Sequence, residues 1–258
     1  MQSTDLDPEN IRPQDTVLGS CLGLAIVEAE ACTVRLFHYT LQEYLSRHRI
    51  LPDAHKTLGQ TCLVYLNYKQ IKGLLANGVS NLGDMPFLTY SSLYWGSHAK
   101  VELSDGAKSQ ALEVLNRDGN HISATLLVEH IGSFHSCSLP HHLWPSLHHA
   151  SYFGIVEVVA SLVERECCDI NQRDCMGFTA LMWAAERGNE EVVGILLTRN
   201  DVDPDKSNDE DRTPLWSASR NGHSGVVKLL LARNDVNQSR QANQRWPNTT
   251  MDCFLQWA

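Results

Sequence analysis

The sequence predicts a mainly α-helical protein built around a stack of short repeats. Leucines stand 34 residues apart at Leu147, Leu181 and Leu215. The same step separates three glycines, three valine pairs and three later leucines: Gly154, Gly188 and Gly222; Val158-Val159, Val192-Val193 and Val226-Val227; Leu162, Leu196 and Leu230. A period in the low thirties that holds at several positions at once is typical of stacked repeat proteins.

Each copy is predicted to form two helices joined by a tight turn. Thr213 and Pro214 suit the N-cap and the first helical position, where the missing N–H of proline costs nothing. Gly188 and Gly222 are expected to end the first helix in a turn that needs positive φ. The apolar residues that follow recur at helical spacing, and the Asp-Val-Asp or Asp-Val-Asn that closes each copy is typical of a hairpin loop.

The order of these residues resembles the ankyrin repeat, whose pattern runs Thr-Pro-Leu-His, two small residues, Gly-His, two valines and leucines. The resemblance implies a helix, a turn, a second helix and a protruding hairpin. The second copy departs from it at Thr179-Ala180-Leu181-Met182, and Trp216 replaces the histidine of the third. Asp211 stands at a hairpin position usually filled by glycine. We expect Trp216 in the core, whereas Trp183 could lie either in the core or at an interface.

Composition limits the possible partners and location. The chain has 258 residues, 43% of them hydrophobic, and a net charge of −9, which disfavours binding to nucleic acid. The N-terminus is polar and acidic, and no apolar run reaches the ~18 residues of a membrane span. Eight cysteines occur without a Cys-x-x-Cys pair, which favours reduced thiols. We therefore expect a cytoplasmic protein that binds neither membrane nor nucleic acid.

The pattern along the chain predicts several regions before and after the repeats. Two strands, at 22–27 and 33–37, should precede a helix from about residue 40, as at the end of a winged-helix module. The predicted regions are an acidic tail (1–20), a β-hairpin plus helix (21–50), a helical connector or cap (51–140), about three repeats (141–240) and an incomplete repeat or tail (241–258).

Three stretches in the first half carry a second resemblance. TVRLFHYTLQEYL, HKTLGQTCLVYLNY and PFLTYSSLYWGSHAK resemble the segment after the NACHT nucleotide-binding module in fungal NLR-type proteins of the STAND class. The resemblance spans roughly 17–131 and implies the regulatory part of a nucleotide-switched receptor. A phosphate-binding loop needs Gly-Lys-Ser/Thr, and the sequence contains no Gly-Lys, so it should not hydrolyse ATP or GTP.

Two further functions are disfavoured. A DNA-binding winged helix at 17–45 would need a basic recognition helix, but basic residues occur only at the end of 40–49 and the hairpin turn is acidic. A histidine-rich stretch could hold zinc, yet its spacings match no ligand pattern and His148 fits a structural position. That stretch comprises His135, Cys137, His141, His142, His148 and His149. We expect no metal, no cofactor, no small-molecule substrate and no catalysis.

The predicted function is to bind another protein through the concave face of the repeats, formed by first helices and hairpin tips. An alternative is the sensor part of an NLR-type receptor that lacks its own NTPase. The first helices should present His149, Tyr152 and Phe153, then Trp183, Glu186 and Arg187, then Ser217, Arg220 and Asn221. The hairpin tips should add Arg173, Asp174, Lys206 and Glu210.

Overall fold

The computed structural model describes residues 25–28, 33–36, 54–74, 85–115, 121–132, 144–165 and 168–233. The chain separates into two compact units, Met1–Ala54 and His55–Ala258. The elements in chain order are β1 (Ala25–Glu28), β2 (Thr33–Leu36), α1 (Ala54–Leu66), α2 (Lys69–Lys72), α3 (Pro86–Ala99), α4 (Asp105–Leu115), α5 (Ile122–Gly132), α6 (Ser146–Phe153), α7 (Val156–Val163), α8 (Ala180–Glu186), α9 (Glu190–Leu197), α10 (Pro214–Arg220) and α11 (Ser224–Leu231).

The first unit contains a short β-hairpin. Strands β1 and β2 pair antiparallel, with Ala25 opposite Leu36 and Glu28 opposite Thr33. The helix expected from about residue 40 lies outside the described residues. A two-stranded hairpin alone does not support the predicted winged-helix-like module.

Helices α1 to α5 form the predicted helical connector. Helical spacing in the sequence predicts one stripe on α3, and all four of its residues are buried: Leu88, Ser92, Trp95 and Ala99. The sequence pattern also predicts a helix pair at 107–115 and 121–130 around a turn at 118–120. Helices α4 and α5 match that pair, while the turn lies outside the described residues. The helical spacing of apolar residues in this part of the sequence therefore predicts these connector helices.

The buried face of α1 differs from the one predicted. The helical spacing of Leu58, Cys62, Tyr65 and Leu66 predicts one apolar stripe, but Leu58 is 40% exposed. The backbone of α1 approaches α3 at Gly59, where a Cβ atom would lie 3.3 Å from the His98 Cβ. Because this contact turns Gly59, Cys62 and Leu66 inward, Leu58 points outward.

The repeats have the predicted helix–turn–helix form. Thr179 and Thr213 cap α8 and α10, each side-chain oxygen accepting a backbone N–H bond at 3.3 or 3.2 Å. Gly188 and Gly222 end the turns with φ of 68° and 75°, which confirms the expected left-handed conformation. Asp211 also has positive φ, 59°, so this aspartate adopts the conformation that glycine usually supplies in the hairpin.

The three repeats stack in sequence order and continue onto the connector. The first helices α6, α8 and α10 pack side by side, as do the second helices α7, α9 and α11. Helix α3 packs against α6 and α4 against α7, so the connector lies against both helices of the first repeat. One hydrophobic core runs through connector and repeats. The connector thus packs against the first repeat of the stack, and its role as a cap stays a prediction.

Candidate protein-interaction surface

Hydrogen bonds between repeats fix the spacing of the first helices. Asn189 donates from Nδ2 to the carbonyl oxygens of Ser151 and Tyr152 at 2.8 and 3.1 Å. One repeat later, His223 donates from Nε2 to the Glu186 carbonyl at 3.0 Å. These bonds tie the turn of each repeat to the end of the preceding first helix, so residues on neighbouring helices keep a defined register.

A second set of bonds ties the outer helices together. Arg199 donates from Nη1 to the Val163 carbonyl at 2.9 Å, and Arg233 donates to the Leu197 carbonyl at 2.6 Å. Neither arginine was predicted from the sequence, although the two arginines are 34 residues apart and so are the two acceptors. That shared step was the signal that could have found them.

His148 has the structural role that its position predicted. Its side chain is 1% exposed, and Nε2 lies 3.1 and 3.0 Å from the carbonyl oxygens of Gln172 and Phe178. A carbonyl can only accept, so Nε2 carries the proton. Burial lowers the pKa of His148 below its ordinary value. The neutral ring therefore anchors the first hairpin to α6.

Five residues predicted to project from the concave face are buried instead. Their exposed fractions are 1% for His149, 6% for Phe153, 7% for Asp174, 2% for Trp183 and 1% for Ser217. The expectation that these side chains face a partner is wrong. Trp95 of the connector packs against His149 and Phe153, and Trp144 packs against His149 and Trp183. His149, Trp183 and Ser217 occupy the equivalent position of three successive repeats and are buried in each.

Asp174 is the centre of a buried polar cluster. Its Oδ2 accepts N–H bonds from the indoles of Trp144 and Trp183 at 3.0 and 2.7 Å. Its Oδ1 accepts the backbone N–H groups of Met176 and Phe178, each at 2.9 Å. Four donors satisfy one buried carboxylate, so Asp174 holds the hairpin closed and joins it to two tryptophans.

His149 lies among aromatic rings. Its ring centroid is 5.5 Å from that of Trp95, 5.0 Å from Trp144 and 5.3 Å from Phe153. Neither ring nitrogen has a hydrogen-bond partner within the described part of the chain. Burial lowers the pKa of His149 to about 3, with a smaller contribution from His121. The imidazole therefore serves as an uncharged packing residue at neutral pH.

His149 should make the stability of the fold depend on pH. Between pH 6.5 and about 3 the unfolded chain binds a proton that folded His149 does not, so stability falls as the pH decreases. We expect His149→Leu to weaken this dependence by up to about 1.4 kcal/mol per pH unit. Urea unfolding of the wild-type protein and the variant at pH 7, 6 and 5 measures how the free energy of unfolding changes with pH. Equal slopes in the two proteins would contradict the assignment.

The remaining predicted residues lie at least partly on the surface. At the C-terminal ends of the first helices, Arg187, Arg220 and Asn221 are exposed, while Tyr152 and Glu186 are half-buried. At the hairpin tips, Arg173 and Glu210 are exposed and Lys206 is half-buried. We name these eight residues the groove surface. They belong to successive repeats that hydrogen bonds hold in register, and Arg187 of the second repeat contacts Tyr152 of the first.

Arginines on the groove surface lie over aromatic rings. The guanidinium carbon of Arg187 is 4.7 Å from the Tyr152 ring centroid, and that of Arg220 is 5.2 Å from the Trp216 centroid. Arg212 also covers Trp216, at 4.5 Å. Trp216 is buried, as predicted, with 6% of its surface exposed. The guanidinium groups of Arg212 and Arg220 cover its indole, and these cation–π contacts stabilise the positions of both arginine side chains.

The hairpin tips differ from the first helices in charge pairing. Arg173 pairs with Asp209 of the next hairpin at 2.5 Å, and Arg212 pairs with Glu210. Over the described residues, by contrast, Arg187 and Arg220 have no carboxylate within ion-pair distance. The positive charges of this surface without a carboxylate partner among the described residues are therefore Arg187 and Arg220, at the C-terminal ends of α8 and α10, and Lys206 of the hairpin.

The described residues contain no group of three or more histidine, cysteine or acidic side chains placed to hold a metal. Four members of the histidine-rich stretch, His135, Cys137, His141 and His142, lie outside these residues. Among the cysteines that the structure describes, Cys62 is a buried free thiol. The helices within the same ranges include none long and apolar enough to cross a membrane.

Comparison with known families agrees with the geometry of the repeats. Residues 147–241 match the sequence model of ankyrin repeats in three copies. This region is an array of ankyrin repeats. The match begins at Leu147 and leaves the connector outside it, so the resemblance of roughly 17–131 to fungal NLR-type proteins stays a prediction, as does the cytoplasmic location.

Two further comparisons describe how the ankyrin repeats relate to individual proteins. No curated protein matches the chain. A similar solved structure is the predatory endopeptidase Bd0816 from Bdellovibrio bacteriovorus in complex with immunity protein Bd3460. The two sequences are 32% identical over the aligned region, which covers 33% of this chain and 44% of that chain, and the TM-score is 0.32. The chain thus spans less than half of that structure's length.

Proposed function

We propose that this ankyrin array is a non-catalytic module that binds another protein through the groove surface. Ankyrin repeats are a protein-interaction fold, and each repeat contacts only its neighbours, which leaves one broad face free. The observation that supports the proposal best is the row of polar and aromatic side chains, half-buried or exposed, at equivalent positions of α6, α8 and α10. Tyr152, Glu186 and Arg220 are 34 residues apart and form one row.

The burial pattern limits where the partner can bind. Helix α3 and Trp144 cover His149, Phe153 and Trp183, so the first repeat contributes Tyr152 alone from its first helix. The second and third repeats contribute Glu186, Arg187, Arg220 and Asn221. The partner site is therefore centred on α8 and α10, with the hairpin residues Arg173, Lys206 and Glu210 at its border.

Site-specific photo-crosslinking tests this placement. A benzoylphenylalanine at Asn221, on the groove surface, should crosslink the full chain to a partner in an extract of the organism of origin. The same residue at Glu191 is the matched control, since Glu191 is exposed on the second helix α9. We expect a discrete adduct from position 221 and none of that size from position 191.

The adduct should also compete with unlabelled protein, because binding at one site is saturable. Equal adducts from both positions, or a set of adducts that unlabelled protein does not reduce, would contradict the proposed surface. A discrete adduct formed only from position 191 would place the interaction on the outer helices instead.

A further inference from the structure

We propose that the partner presents a segment with spaced aspartate or glutamate residues, whose carboxylates bind Arg187 and Arg220. This inference rests on the proposed function, because it names the chemistry of the partner at the same groove surface. It starts from a contrast within one protein. The whole chain carries a net charge of −9, yet the exposed ends of two neighbouring first helices carry arginine.

The charge pairing indicates which arginines are available. Arg173 and Arg212 already have carboxylate partners, Asp209 and Glu210. Neither Arg187 nor Arg220 has such a partner in the described part of the chain, and both are exposed. A carboxylate that approaches this face can therefore bind Arg187 and Arg220 without displacing an internal ion pair.

The aromatic contacts prepare these two guanidinium groups for binding. Arg187 is held over Tyr152 and Arg220 over Trp216, at 4.7 and 5.2 Å from the ring centroids. A guanidinium stacked on a ring keeps N–H donors at its edge, where a carboxylate can accept two of them. Because the side chains are already restrained, ordering them on binding costs less entropy.

Glu186 determines the spacing of the acids in the partner. This residue precedes Arg187 on α8 and occupies the position equivalent to Arg220, so it disfavours a carboxylate placed directly over it. Neighbouring helices lie about 8–10 Å apart, and an extended peptide rises about 3.3 Å per residue. Acidic residues two or three positions apart would therefore reach both arginines, whereas an unbroken acidic run would place negative charge over Glu186.

A defined peptide pair tests the inference on the full chain. Fluorescent peptides of about twelve residues alternate glutamate with serine or, as the matched control, glutamine with serine. Fluorescence anisotropy at about 50 mM NaCl should show at least about ten-fold tighter binding of the glutamate peptide. About 300 mM NaCl should remove most of that preference, because screening weakens exposed charge pairs.

Variants assign the effect to the two arginines. Arg187→Glu with Arg220→Glu should abolish the glutamate preference, and the neutral pair Arg187→Gln with Arg220→Gln should reduce it. Lys228→Glu, on the exposed side of α11, is the control for charge and should leave the preference unchanged. Circular dichroism melting of each variant confirms that the repeats remain folded.

Four results would overturn the inference: equal binding of the two peptides, a preference that survives charge reversal at both arginines, a preference lost equally in Lys228→Glu, or tighter binding of an oligothymidylate of similar length through the same arginines. The last result would point to nucleic acid. A crosslink from position 221 without any peptide preference refutes the acidic partner alone. Equal crosslinks from positions 221 and 191 would instead refute the groove surface itself.

Discussion

Replacing Asp174 with asparagine is expected to destabilise the repeats by about 2–4 kcal/mol, although the side chains have nearly the same shape. Asp174 accepts four N–H bonds, from Trp144, Trp183, Met176 and Phe178. The side chain of asparagine has one oxygen and one NH2 group. Either the two indole N–H groups or the two backbone N–H groups would therefore face a donor and lose their acceptor. Urea unfolding at pH 7 measures the change.

Asp209→Asn is the matched control for this substitution. Asp209 lies at an exposed hairpin tip and pairs with Arg173, so its replacement should change stability by less than about 1 kcal/mol. The indole N–H signals of Trp144 and Trp183 should also exchange faster with solvent in Asp174→Asn alone. Equal stability of the two variants, or unchanged indole exchange, would show that the buried cluster does not hold the hairpin.

Gly96→Ala is expected to destabilise the junction between connector and repeats by about 1–3 kcal/mol. A Cβ atom at Gly96 would lie 2.1 Å from the Phe153 Cγ, far inside van der Waals contact, and Phe153 is buried in α6. The alanine therefore forces α3 away from the first repeat. Thermal and urea unfolding both measure this effect.

Gly194→Ala provides the contrast, because a Cβ atom in the middle of α9 meets nothing within 4 Å. Helix propensity should make that variant more stable by about 0.5–1 kcal/mol. Combining Gly96→Ala with Phe153→Ala should cost less than the sum of the two single changes, since the alanine can enter the space left by the ring. If Gly96→Ala stabilised the protein as Gly194→Ala does, the proposed close contact of α3 with Phe153 would be absent.

Local signals determined much of what the sequence predicted. Thr213-Pro214 and Gly222 act within a few residues of their own position, so the helix start and the turn could be assigned without knowing any neighbour. The structural role of His148 was also predictable, because it stands at the histidine position of the repeat pattern; its side chain contacts the following hairpin. Trp183, by contrast, was equally compatible with core and surface, and its bond to Asp174 decided for the core.

The sequence by itself determined the 34-residue period of the repeats, their helix–turn–helix form and their relation to the ankyrin family. Only the tertiary structure decided which part of the concave side is open. The 34-residue step repeats positions but carries no information on what packs against the first copy. Trp95 of α3 packs against Phe153 there, whereas Arg187, at the equivalent position of the next repeat, is exposed. Burial depends on atoms distant in sequence, so equivalent positions in successive repeats can be core in one copy and surface in the next.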